Sequence, residues 1–413
     1  MKTNTTVEFV VPPRQWERFR DELLAARAGR EEVIGFFFCT RHRVEPDAER
    51  LLPRVWVVPE PDCYDHQSVG GLSLNQSFHA YLVENYVKHG LIPVHCHTHP
   101  TLAPPEFSGV DDRHEAEYAR FLAGVPGRPY LVSGVFNERL ERGRFRLWSA
   151  GGEESPRAVS FSHGWAPGDA EPDAALATDP RFDRQRVFGL GVQEALDGLK
   201  VGLVGCGGLG AVFAEQLARL GVRQWVLIDP DQLDETNLNR MPCATPTMAM
   251  RDWPKVRYVK QLVNRAWPVG ATVRKLQAPV EDRRAENLLA ACDLIVVCTD
   301  NHHSRMICQE LALRYVRPLL CLGVDIALSD SGGLRRLLAR ITMPPMDGGW
   351  CLICGDVIDV PQGRLGGGAA GLGGRHGGGG VRARGDGPGG LLAHQHLRFA
   401  GRVRRSRCPR GFR

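Results

Sequence analysis

Apolar and polar positions change rhythm along this chain. Up to about residue 150, short apolar runs such as VEFVV, IGFFFC and VWVV alternate with segments of helical period, which predicts a mixed α+β unit. Strands are expected near 6–11, 32–39, 54–58, 129–136 and 143–148, and helices near 13–28 and 76–89. An extended run Leu91–His99 and a helix after Ser108 complete that unit. Residues 151–180, rich in Gly, Pro, Ala and acids, show no period and are expected to be a linker. From Leu199 the order becomes strand, Gly turn, helix, strand (KVGLVG, CGGLG, AVFAEQLARLG, QWVLID). It continues through TVRKLQ, AENLLAA, DLIVVCTD, a helical stretch 302–315 and PLLCLGV. That alternation predicts an α/β, doubly wound parallel sheet over 181–345. It collapses over 346–413.

Composition changes this picture at one end only. Hydrophobic residues at 43% and charged residues at 24% are ordinary globular usage and exclude a largely disordered or coiled-coil chain. The formal charge of +5 conceals a split: residues 361–413 hold eleven Arg and one acid, Asp386, a local +10 that leaves −5 for the first 360 residues. The folded part is mildly acidic, against a nucleic-acid role. Seventeen of 47 Gly and no Lys fall in that same tail, a composition compatible with a shifted reading frame or a basic extension. The N-terminus lacks the apolar core of a secretory signal, no run reaches the roughly 18–20 apolar residues of a membrane span, and the twelve Cys are scattered. A reduced, cytoplasmic protein is expected.

Two constellations carry chemistry. In His97-Thr98-His99-Pro100, alternation along an extended segment points both imidazoles the same way. Asp111, one turn into the following helix, can complete a three-ligand set. Two imidazoles and a carboxylate leave a coordination position open, as catalytic zinc requires. Ser108-x-x-Asp111 also reads as a plain capping box, and histidines of this kind can be solvated loop residues. His95 alternates with His97 and is a weaker ligand candidate, whereas Cys96 is expected to face a core. Glu32, in Glu32-Val33-Ile34-Gly35, is a candidate base on a separate strand.

The second constellation is Gly205-Cys206-Gly207-Gly208-Leu209-Gly210, between a strand and a helix, where glycines let phosphates approach backbone amides. Asp229, at the end of the next strand, stands where an acid reaches a ribose hydroxyl. So far a nicotinamide dehydrogenase would look the same. Arg240, Lys255 and Asp300, converging on the phosphate end, suit adenylation instead: the cations neutralise a triphosphate and the carboxylate holds Mg²⁺.

The first pattern, H-x-H-P, a seven-residue spacer, S-x-x-D and an upstream E-x-x-G, resembles the JAMM (JAB/MPN) metalloprotease domain over about 150 residues. That resemblance implies that His97, His99 and Asp111 hold zinc, that Glu32 accepts a proton from the attacking water and that Ser108 stabilises the oxyanion. The second resembles the ThiF/MoeB family and the adenylation domain of ubiquitin-activating enzymes over about 181–330, including Arg181-Phe182-Asp183-Arg184-Gln185 and Asn237-Leu238-Asn239-Arg240. It implies that Gly205, Gly207, Gly208 and Gly210 cradle ATP, that Asp229 binds ribose and that Asn237, Arg240 and Lys255 contact phosphates. Asp300 would sit at Mg²⁺ or the attacking carboxylate, and Arg184 would reach the ATP of a second subunit in a homodimer. Trp350-Cys351-Leu352-Ile353-Cys354 matches the first half of that family's paired C-x-x-C zinc site. Only Cys408 follows, so the set of four thiolates is incomplete, and no Cys stands out as a thioester nucleophile.

The combined expectation is a peptidase domain fused to an adenylating domain. Both would act on a ubiquitin-like or sulfur-carrier protein ending in Gly-Gly, whose tail moves between sites across a flexible linker of about 30 residues. Its rivals are a carrier-binding scaffold and a nicotinamide oxidoreductase with an added metal domain.

Overall fold

The structure, a computed structural model, describes residues 5–163 and 180–358, apart from 28, 128, 150–154, 268–269, 330–331 and 347–348. The N-terminal half runs β1 (Thr6–Val10), α1 (Pro13–Ala25), β2 (Ile34–Glu45), β3 (Ala48–Val57), β4 (Tyr64–Ser68), β5 (Gly71–Leu74), α2 (Gln76–Asn85), β6 (Ile92–Thr98), α3 (Gly109–Ala123), β7 (Leu131–Phe136), β8 (Gly143–Trp148) and β9 (Arg157–Ser162). Seven of these strands close a barrel in the order β1-β3-β2-β6-β7-β8-β9, and β4 and β5 form a separate hairpin.

The unbroken apolar run of β2 reflects burial on both faces. Phe37 and Cys39 join Trp16, Phe19 and Leu23 of α1 in one core, while Ile34, Phe36 and Phe38 pack with Phe78 and Leu82 of α2 and Ala119 and Leu122 of α3 in another. Cys96 lies in the α1-side core, as alternation predicts, so His95 and His97 are turned to the opposite face.

Two expectations are corrected here. Arg157–Ser162 falls inside the expected linker but is the last barrel strand, pairing parallel with β1 and antiparallel with β8. The β4–β5 hairpin, with its Val69-Gly70 turn, was not expected at all. Of the remaining stretch, 164–179 lies outside the described residues.

The second half contains α4 (Leu190–Gly198), β10 (Lys200–Val204), α5 (Gly208–Leu220), β11 (Gln224–Ile228), α6 (Pro246–Met250), α7 (Lys255–Ala266), β12 (Thr272–Leu276), α8 (Arg283–Ala290), β13 (Leu294–Val297), α9 (His302–Arg314), β14 (Leu319–Leu328) and β15 (Leu334–Thr342). The sheet order is β12-β11-β10-β13-β14-β15, parallel except for β15, an antiparallel edge strand absent from the sequence-based expectation. Val201 and Leu203 pack with α5 and α7 on one face, and Val204 and Ile295 pack with α8 and α9 on the other. This is the doubly wound arrangement that the alternating sequence pattern predicts.

The two halves share a core. Val10 and Leu52 of the barrel belong to the same apolar cluster as Leu289 and Ala290 of α8 and Cys292 just after it. Around it, buried Arg50 donates to Ala290 O at 2.5 Å and to Glu8 at 2.8 Å, and Arg317 donates to the same Glu8 carboxylate at 2.6 Å. Lys200 pairs with Glu45 nearby. No helix among the described residues is long and apolar enough to cross a membrane.

Candidate functional sites

The barrel site is assembled at the end of β6. Extended backbone sends His95 and His97 to one face, and the chain continues past Thr98 to His99. The α3 N-terminus then brings in Asp111, because Ser108 caps that helix: Ser108 Oγ accepts from Asp111 N at 3.2 Å and Asp111 Oδ2 accepts from Ser108 N at 2.6 Å. The capping-box reading is thus correct. It coexists with the ligand reading, because the same carboxylate lies 3.2 Å from His97 Nε2 through Oδ1 and 3.4 Å from His99 Nε2 through Oδ2. The ligand atoms of His97, His99 and Asp111 all fall within 4.8 Å of one another. His97 Nε2 is fully buried and, although close to Asp111, makes no directed hydrogen bond. A buried imidazole nitrogen facing a carboxylate, with a second imidazole beside it, is a donor set suited to zinc.

The charges follow. Burial keeps the His97 imidazole from taking up a proton, against the pull of Asp111. The Asp111 hydrogen bond holds a proton on His99 more firmly than usual. Burial alone would raise the Asp111 carboxyl, but the close imidazoles of His97 and His99 outweigh it and keep it well below the usual carboxylate range. Glu32 is pushed up to about 7, chiefly by burial. It stands in the loop before β2, not on a strand as expected, with its backbone N–H bonded to Ser68 O and its carbonyl accepting from Gln67 of the hairpin. A cavity of about 620 Å³ opens on these groups, and Glu32, His95, His97, His99, Ser108 and Asp111 all line it. The β4–β5 hairpin and the α3 side chains Tyr118 and Phe121 form its walls. Sequence reasoning missed those walls.

The second site lies where the strand order reverses, outside the carboxyl ends of β10 and β13. Gly205 has φ +94°, and a Cβ there would come within 2.9 Å of the Cys298 carbonyl carbon after β13. At Gly210 a Cβ would lie 2.0 Å from Gly205 O, and at Gly208 it would meet the Arg240 side chain at 2.9 Å. Gly207 differs, since nothing lies within 4 Å of its would-be Cβ. The tight turn therefore needs Gly205 and Gly210, and Gly207 leaves space over the α5 N-terminus, where an anionic group is favoured.

Four of the other expected nucleotide residues have partners already. Asp229 accepts from Cys206 N at 2.6 Å and Asp231 N at 2.8 Å, so its carboxylate fixes the glycine loop, and burial raises its pKa. Asn237 is buried within a capping box with Asp234. Arg240 donates to Thr236 O at 2.5 Å, and Lys255 pairs with Asp231 at 2.7 Å. Asp300 is exposed, next to Asn301, which caps α9. Arg184 is exposed on the 3₁₀ turn Pro180–Phe188. Cys351 and Cys354 bring their sulfurs to 3.5 Å, and Cys354 is shifted toward thiolate by hydrogen bonds around Cys351. Cys408 lies outside the described residues.

The ThiF family model matches residues 182–329, so this segment is a ThiF-family domain. Molybdopterin-synthase adenylyltransferase of Salmonella typhimurium (strain LT2) is 34% identical over 124 residues, covering 29% of this chain and 49% of that protein. The protein of the same name from Escherichia coli (strain K12) is 31% identical over 178 residues, covering 42% and 66%. Adenylyltransferase and sulfurtransferase MOCS3 of Bos taurus is 28% identical over 219 residues, covering 49% and 42%. The chain thus spans between two fifths and two thirds of the length of these relatives.

Proposed function

We propose that the ThiF-family domain activates the C-terminal glycine of a ubiquitin-like or sulfur-carrier protein with ATP, and that the barrel is a JAMM-type metallopeptidase trimming or releasing the same kind of protein. The family match over 182–329, on a glycine turn open above Gly207, carries the first part. In that reaction a carrier carboxylate oxygen attacks the α-phosphorus, the bond to pyrophosphate breaks, and an acyl-adenylate remains. Arg240 and Lys255 would neutralise the departing charge, with Lys255 exchanging exposed Asp231 for phosphate. Mg²⁺, held through Asp300, would balance the triphosphate. Asp229 would keep the loop in place while its remaining lone pairs meet ribose, and Arg184 would serve the second subunit of a homodimer.

For the barrel, the convergence of His97, His99 and Asp111 beside Glu32 supports the peptidase. Zinc on those three ligands would polarise a carbonyl and acidify water. Glu32 would take the proton from the attacking water and pass it to the leaving amine, and Ser108 Oγ would donate to the carbonyl oxygen as charge develops. Cys351 and Cys354 would supply two of four ligands to a structural zinc.

The test is pyrophosphate exchange into ATP by the full chain, with and without carriers ending in Gly-Gly. Carrier-dependent exchange is expected. Equal affinity for NAD and ATP, with no exchange for any carrier, would overturn the reading in favour of a nicotinamide enzyme.

A further inference from the structure

Two donor sets overlap on β6. Besides the set already described, the ligand atoms of His95, His97 and Glu115 lie within 4.8 Å of one another. Glu115, however, is engaged on both oxygens. Oε1 accepts from Ser133 Oγ at 2.5 Å and faces His95 Nε2 at 3.5 Å, while Oε2 accepts from Arg146 Nε at 2.7 Å and Trp148 Nε1 at 2.6 Å. A guanidinium at that distance neutralises the carboxylate, and a metal cation at the same oxygens would meet its repulsion. Glu115 is a hub and not a second ligand.

What the hub holds is the start of α3. Arg146, on β8, touches it at three points: Nε on Glu115, Nη1 on Asp112 Oδ1 at 2.6 Å, and the guanidinium carbon 3.7 Å from the Phe107 ring centroid. Phe107 immediately precedes the cap Ser108, Asp112 immediately follows Asp111, and Glu115 lies one turn on. Phe107 also lies against His97, with ring centroids 6.4 Å apart. The clamp therefore brackets residues 108–111 from both sides. It persists although Arg146 Nη2 is buried without a hydrogen bond, an arrangement that costs stability.

We infer that Arg146 is a positioning residue for the barrel site, which fixes the Asp111 carboxylate against His97 and His99 by fastening the first turn of α3 and Phe107 to β8. This rests on the metallopeptidase reading above. A planar guanidinium can hold two carboxylates and stack on a ring at once, and an ammonium cannot.

The experiment titrates metal-free full chain with Zn²⁺ alone against a chromophoric chelator, using wild type, Arg146→Lys, Phe107→Ala and Trp16→Phe. Trp16 lies in the α1-side core and serves as a stability control. Loss of a partner outside the ligand set typically weakens metal binding about 10–100-fold. Arg146→Lys and Phe107→Ala should each lose that much, while Trp16→Phe keeps wild-type affinity even where its melting temperature falls further. Zinc affinity in Arg146→Lys and Phe107→Ala equal to wild type would overturn the clamp alone. Absence of zinc binding by wild type would overturn the peptidase reading, and the clamp with it.

Discussion

In the barrel the candidate site is made of side chains: Glu32 from the loop before β2, two histidines at the end of β6 and Asp111 on α3 converge from three segments on one cavity. In the sheet it is made largely of backbone, a six-residue turn in which Gly205 lies against Cys298 and Gly210 against Gly205 O, with Asp229 and Lys255 occupied by local partners. The first is a constellation that any one substitution removes, and the second is a surface that any added methyl fills. Their vulnerabilities should therefore be opposite in kind.

The largest expected effect is on the side-chain site. Glu32→Gln should retain as much zinc as wild type by elemental analysis but lower cleavage of a carrier bearing residues beyond its Gly-Gly by roughly 10²–10⁴-fold, the usual worth of a general base. His99→Ala should lose the zinc itself. Full cleavage by Glu32→Gln would show that this carboxylate takes no proton.

Next comes the backbone site. Gly210→Ala places a methyl 2.0 Å from Gly205 O, so the loop must move. ATP affinity measured by calorimetry should fall by about tenfold or more, or roughly 1.4 kcal/mol. Unchanged affinity would place the nucleotide elsewhere. By contrast Asp300→Asn, a side-chain change at the same site, should spare most ATP binding and depress pyrophosphate exchange, because its charge matters mainly as the leaving group departs.

The smallest effect separates the two regions by pH. Glu32 binds its proton more tightly in the folded, metal-free chain, at about 7, than a solvated carboxyl near 4.5 does. Between those values the folded state holds the extra proton, so this group's contribution to stability falls as pH rises. The gain in melting temperature from Glu32→Gln in metal-free protein should accordingly be negligible below pH 4.5, grow through pH 7 and then level off. A gain independent of pH would place Glu32 in water.

The contrast also explains what could be read from the sequence. Alternation alone turned His97 and His99 to one side, and a capping box fixes the distance from Ser108 to Asp111, so the convergence of these three side chains was legible from local geometry. The glycine turn was legible for the same reason. Glu32 was recognisable as a residue but was placed on a strand, whereas β2 begins only at Ile34. The β4–β5 hairpin and β9 are short and polar or Gly-flanked, and tertiary pairing rather than period makes them strands. Arg146 and Glu115 were not singled out, because their burial depends on β8 and α3 meeting. The core shared by Val10 and Leu52 with the sheet was equally hidden, as apolar residues look alike whichever half they serve.

That shared core turns a presumed hinge into a weld. With Arg50 and Arg317 both fastened to Glu8 across it, the spacing of the two sites becomes a constant of the fold, not a distribution set by linker length. Under the proposed function, a carrier using both sites would not be carried between them by domain motion, and would change sites by releasing its tail from one and rebinding at the other. Throughput would then depend on escape against recapture, and a competing carrier in solution could intercept the trimmed protein on its way.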